Sequence, residues 1–193
     1  MKISPINISF KANVPKYSAG VQNKDSGEFC QATFCEADCC DKKDYVQFGD
    51  LKWLYSRIIR NSAYDKFKRQ KLNFEDSGEQ VFLLKAQDQI IGIARTSQIY
   101  DGVVNLDWLE TDPKNKFRYS GQVMIASIAQ DAYKNGASEV IITDWTDEGC
   151  KFYENVCKLK NDCMVFTIEP NDIERIFSSL EEKTGVPFLD LTV

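Results

Sequence analysis

Apolar residues recur along this chain with two different periods, and the switches between them mark out the elements. In "GDLKWLYSRIIRNSAYDKFKRQ" (49–70), Leu51, Leu54, Tyr55, Ile58 and Ile59 fall at helical spacing behind Asp50, a residue suited to cap a first turn. In "EQVFLLKAQDQIIGIARTSQ" (79–98) two apolar runs flank the polar "AQDQ", which predicts a hairpin. "GVVNLDWLETDP" (102–113) reads as a further strand closed by Asp-Pro, because proline cannot continue a ladder. The period then changes: Ile125, Ile128, Ala129, Ala132 and Tyr133 follow helical spacing, with "NG" at 135–136 as a left-handed stop.

Beyond that helix, "SEVIITDW" (138–145) is a continuous apolar run, as expected of a strand buried on both faces. "DEGCKFYENVCKLK" (147–160) predicts a short helix and "CMVFTIEP" (163–170) another strand. "NDIERIFSSLEEKTG" is amphipathic with Asn171 or Asp172 as cap, and "VPFLDLTV" returns as an edge strand. At the other end, "EFCQATFCEA" (28–37) reads as a first strand, and residues 1–24 mix Pro, Gly, Ser and Asn as a flexible leader or edge segment. The expected organisation is therefore a leader over 1–24, one domain over 25–168, and a C-terminal helix with a last strand over 169–193.

Composition narrows the functions available. A chain of 193 residues, 43% hydrophobic and 12% aromatic, can bury one sizeable core. It has no apolar run near the roughly 18 residues of a membrane span and no secretory signal at its start, so no membrane association and a cytoplasmic location are the expectation. A net charge of −5 argues against nonspecific nucleic-acid binding, and the basic run "KFKRQK" (66–71) reads as a solvated helix face. The absence of histidine removes Ser-His-Asp and Cys-His hydrolases and every His-ligated metal site. Seven cysteines at 30, 35, 39, 40, 150, 157 and 163 read as reduced thiols, and the cluster Cys30, Cys35, Cys39 and Cys40 matches no standard zinc spacing. No metal is expected, and a zinc-binding adaptor built on residues 30–40 is the alternative that zinc in the purified protein would require.

The chemistry concentrates in "RYSGQV", which joins a proline-closed strand to the helix that follows it. Gly121 can serve a plain turn. It can equally serve a phosphate cradle, in which the free amides of a helix start face an anion. The order of elements and three motifs resemble the GNAT superfamily of acetyl-CoA-dependent N-acyltransferases over residues 79–168. Arg118 and Gly121 match the first and fourth positions of its pyrophosphate loop, Q/R-x-x-G-x-G/A. "LETDP" resembles the end of the family's strand before that loop, and "KFYENV" (151–156) resembles its "FYEK" helix.

The resemblance implies a mixed α/β (α+β) fold: a central, mostly antiparallel sheet flanked by helices, with parallel pairing after the CoA-binding helix. It implies acetyl-CoA as co-substrate and the primary amine of a small molecule or protein as acceptor. Arg118, Tyr119, Ser120, Gly121, Gln122 and Val123 would bind the diphosphate, with Lys116 adding charge. Backbone amides at Leu109 and Thr111 would hold the pantetheine and acyl carbonyl. Tyr153 would protonate the departing thiolate, and Asp107 or Glu110 would act as base. Val123 departs from the family's Gly or Ala, where a side chain lies against the cofactor, and is expected to crowd the diphosphate. Thr146 stands where the family has Asn. These departures leave open a second reading, a GNAT-like domain without turnover that senses acyl-CoA or binds a protein. The acidic composition favours a cationic acceptor.

Overall fold

The computed structural model describes residues 15–36, 79–87, 89–112, 114 and 116–192. The helix expected over 49–70, together with Cys39 and Cys40, lies outside the described residues.

Strands β1 (Pro15–Asn23), β2 (Phe29–Glu36), β3 (Glu79–Ala86), β4 (Gln89–Ser97) and β5 (Val103–Thr111) form an antiparallel run, each paired with the next in sequence. The expected hairpin is β3–β4, closed by a two-residue turn between Ala86 and Gln89 in which Gln87 takes φ 50°. After β5 come a two-residue strand β6 (Phe117–Arg118), helix α1 (Ser120–Lys134), β7 (Glu139–Ile142), α2 (Asp147–Lys151) and a π-helical turn over Phe152–Val156. The chain continues through β8 (Lys160–Asp162), β9 (Val165–Thr167), α3 (Pro170–Thr184) and β10 (Leu189–Asp190). The sheet order is β10-β1-β2-β3-β4-β5-β7-β9-β8, with β6 also on β1. Among these pairings only β5 with β7 is parallel, through Val103, Val104 and Asn105 against Glu139, Val140 and Ile141. This is the mixed, mostly antiparallel architecture expected.

Side-chain alternation sorts the sheet into two faces. Phe34, Phe82, Leu84, Ala94, Val104 and Leu106 pack with α1 and α3 in one cluster that includes Val123, Met124 and Ile128 of α1 and Ile176 and Leu180 of α3. The out-of-phase residues Val81, Leu83 and Ile93 are also buried, but outside that cluster. β3 and β4 therefore read as continuous apolar runs because both of their faces are covered.

Four expectations need correction. Residues 15–23 are not a leader or an edge: β1 lies between β10 and β2, and Tyr17, Ala19 and Val21 are core. Gly20 makes this possible, because a Cβ there would stand 2.1 Å from Thr184 Oγ1, so α3 rests directly on the β1 backbone. The helix of 147–160 is instead a short α-helix and a π-turn ended by Lys158 at φ 56°. The strand of 163–170 is a hairpin: β8 and β9 meet at a turn in which Cys163 and Met164 both take positive φ. Helix α3 starts at Pro170, with Asp172 capping from its third position by accepting the Glu169 N–H at 3.0 Å. In addition β7 alternates between buried and half-buried residues rather than being covered on both sides.

Candidate functional site

Strand β5 builds the site by losing a neighbour. Its first three residues pair with β7, while Leu106 to Thr111, among the described residues, pair with β4 alone, across an irregularity that leaves Asp107 as the extra residue. Backbone amides alternate sides along a strand, and the Asp112 N–H donates to Ile91 O on β4 at 3.0 Å. The Thr111 and Leu109 amides accordingly turn away from β4, into the gap that β7 leaves.

The start of α1 faces that gap. Tyr119, its N-cap residue, takes φ 73°, a left-handed conformation rare for an aromatic residue. The first intrahelical bond is Val123 N–H to Tyr119 O at 3.0 Å. Among the described residues no side chain caps this end, and the first turn carries no acid. The amides of Ser120, Gly121 and Gln122 are thus left at the positive end of the helix dipole. Arg118 flanks them; the Lys24 N–H donates to Lys116 O at 2.7 Å, and Lys24 lines the cleft while Lys116 is not part of its lining.

A cleft of about 580 Å³ runs along this arrangement. It is lined by Leu109, Glu110 and Thr111, by Arg118 through Gln122, and by Tyr153. Sequence reasoning had named all of these. Two others it does not bring in. Val123 is fully buried in the core under α1, so its side chain does not crowd the loop as expected, and its amide is already bonded to Tyr119. Asp107 is absent from the cleft lining: its carboxylate accepts from Asn105 Nδ2 at 2.8 Å and lies 3.6 Å from Arg95 Nε. Thr143 donates in turn to the Asn105 amide oxygen at 3.2 Å.

The turn carrying Tyr153 is shaped by two local devices. Thr146 caps α2 by accepting the Gly149 N–H at 3.1 Å, which accounts for Thr at the position where Asn was expected. The helix then widens, with the Cys157 N–H reaching back five residues to Phe152 O at 3.0 Å. Tyr153 is 5% exposed, packed against Phe152 and Phe166 with ring centroids 5.6 and 5.3 Å away. Burial pushes its hydroxyl up to about 12, so it stays protonated at neutral pH.

The sequence does not single out Lys24, Phe117, Glu148, Gly149, Phe152 or Val156 as part of the lining. Phe152 matters most, since a Cβ on Gly121 would stand 2.7 Å from its Cζ. Gly121 is thus required by the ring as well as by any approaching anion. A signal was available: an aromatic beside the motif tyrosine, on the element that follows the glycine loop. No group of three or more possible metal ligands comes together among the described residues.

No family profile matches the sequence, and no curated protein resembles it significantly. Solved structures do resemble its fold. A putative GNAT-family acetyltransferase from Desulfovibrio desulfuricans is 13% identical with a TM-score of 0.54, over 72% of this chain and 98% of the other. A mutant AtaT toxin bound to the C-terminus of the antitoxin AtaR and to acetyl-CoA is 12% identical with a TM-score of 0.55, over 76% and 98%. A KacTA–DNA complex is 14% identical with a TM-score of 0.55, over 77% and 99%. The chain shares the fold of these GNAT-type structures.

Proposed function

We propose that this protein is an acetyl-CoA-dependent N-acetyltransferase acting on a primary amine of a small molecule or protein. One observation carries the reading: the unpaired edge of β5 faces the uncapped, acid-free start of α1 across a single cleft that also holds Tyr153. A diphosphate suits the Ser120, Gly121 and Gln122 amides with Arg118 and Lys24 beside them, because five groups of one polarity converge there. An extended pantetheine chain suits the free amides of Leu109 and Thr111, as an added strand would. Bound acetyl-CoA supplies the acyl thioester whose acyl group passes to the amine.

The remaining chemistry falls to side chains of the cleft. A departing thiolate needs a proton, and Tyr153, a phenol protonated at neutral pH, lines the cleft as the donor. The attacking amine must lose a proton, and Glu110 lines the cleft where Asp107 does not, with one of its carboxylate oxygens buried. Glu110 is therefore the better choice of base. Asp107, bonded to Asn105 and close to Arg95, serves the local shape of β5. Glu110 and Glu148 also give the acceptor side of the cleft a negative character that favours a cationic amine.

The test is a thermal titration followed by a thiol-release assay over an amine panel. Acetyl-CoA at about 100 times its dissociation constant should stabilise the fold by roughly 2.7 kcal/mol, raising the melting temperature by about 5–10 °C. Gly121→Asp should abolish the shift, since it puts a negative side chain at the amides. A melting temperature unmoved by millimolar acetyl-CoA and CoA would refute the reading. A shift without turnover on any amine would favour an acyl-CoA sensor.

A further inference from the structure

The opposite end of α1 holds a second cavity, of about 260 Å³, separate from the cleft. Its floor is Phe82 and Ala132, and its polar wall is Thr96, Asp131, Gln80 and Gln98. Two of these polar groups are nearly sealed from solvent: Thr96 is 1% exposed and Asp131 4%. Among the described residues the Thr96 hydroxyl has no hydrogen-bond partner. Asp131 has Lys16 Nζ at 2.7 Å on Oδ2 and the buried Tyr17 hydroxyl beside it, but Lys16 also serves Glu36 at 3.0 Å, so one cation stands against two carboxylates. Desolvation raises the pKa of Asp131 although Lys16 acts to lower it. The cavity also lies at the negative end of the α1 dipole, beside Asn135, the C-cap residue.

An excess carboxylate, amide oxygens and an unused hydroxyl all accept hydrogen bonds, the α1 dipole adds negative potential although the Asp131, Ala132 and Tyr133 carbonyls are already bonded, and an aromatic floor suits a short alkyl body. We propose that this cavity is a second binding site, for a small protonated amine, distinct from the acyl-transfer cleft. Helix α1 would then carry an anion at its first turn and a cation at its last. The volume, about 260 Å³, falls just under the roughly 300 Å³ at which drug-sized pockets begin and holds a ligand of up to about ten heavy atoms.

The experiment is a saturation-transfer and chemical-shift NMR titration of the full chain with butylammonium, and with butanol as neutral control. Butylammonium should bind with a dissociation constant on the order of 1–10 mM, within reach of a ligand of about five heavy atoms. Butanol should bind at least about tenfold more weakly. Thr96→Val keeps the shape and removes the hydroxyl, so it should weaken binding by about 3–10-fold, the scale of one hydrogen bond. Ala132→Leu fills the floor and should abolish it, with folding checked by melting, and saturating CoA should not displace the amine. The proposal is overturned by butanol binding as tightly as butylammonium, by an absence of saturable binding, by displacement with CoA, or by unchanged affinity in either folded variant. None of these readouts requires turnover or CoA binding, so they stand or fall apart from the acetyltransferase reading.

Discussion

Replacing Gly121 with alanine asks a question that one distance can answer. The new Cβ would lie 2.7 Å from Phe152 Cζ and 3.3 Å from both Cε atoms, so the ring has to retreat by about 1 Å to reach ordinary contact. Phe152 is half-buried in a π-turn and packed on Tyr153, and overpacking at such a site costs about 1–3 kcal/mol. Against this, alanine in place of glycine in a helix gains about 0.5–1 kcal/mol. The net is a loss near 1 kcal/mol, or a melting temperature lower by about 2–4 °C for a domain of this size. The sign should reverse in a Phe152→Ala background, where nothing opposes the new methyl and the propensity gain stands alone. A double-mutant cycle of Gly121→Ala and Phe152→Ala by denaturant melts reads the coupling directly, expected at about 2 kcal/mol. If Gly121→Ala stabilises the parent as much as it stabilises the Phe152→Ala variant, the ring does not sit on the helix start and the reasoning fails.

Three further outcomes follow from the same geometry. Tyr153→Phe keeps the ring stack and deletes the proton donor, so acetyl-CoA affinity should persist while kcat falls on the order of 100-fold; equal losses in both would make the hydroxyl a binding group instead. Burial raises both Cys157 and Tyr153 to about 12, so each contributes stability that is complete below its unfolded pKa, about 9 and 10, and is lost as pH rises through about 12. Alkaline melts should fall with a slope of about 1.4 kcal/mol per pH unit for each group, and Cys157→Ala should remove the part that begins near pH 9. Lys16→Met should cost roughly 3 kcal/mol because it strands the buried Asp131, whereas Glu36→Gln, at the 42% exposed end of the same cluster, should cost less than about 1 kcal/mol; similar losses in urea melts would contradict that split.

Local pattern alone determined much of this protein. The helical spacing of Ile125 to Tyr133, the two-residue hairpin turn and the proline-closed strand are short-range facts, written in residues a few positions apart. They sufficed for β3, β4, β5 and α1, while the family resemblance carried by "RYSGQV" and "KFYENV" implied the residues that gather in the cleft. Tertiary structure decided the rest. Pro15–Asn23 is an inner strand only because β10 returns from the far end of the chain and α3 settles on Gly20, contacts that no local window contains. Val123 was assigned to the cofactor by its place in a motif, yet the rotation of α1 on the sheet turns its side chain into the core. Asp107 and Glu110 look alike in "NLDWLE"; the β5 irregularity at Asp107 changes the strand's phase, and only Glu110 reaches the cleft. The Phe152 ring over Gly121 and the Lys16–Asp131 pair join residues 31 and 115 positions apart. Periodicity reports which face of an element is apolar, but the packing of that face against distant elements selects which side chains meet.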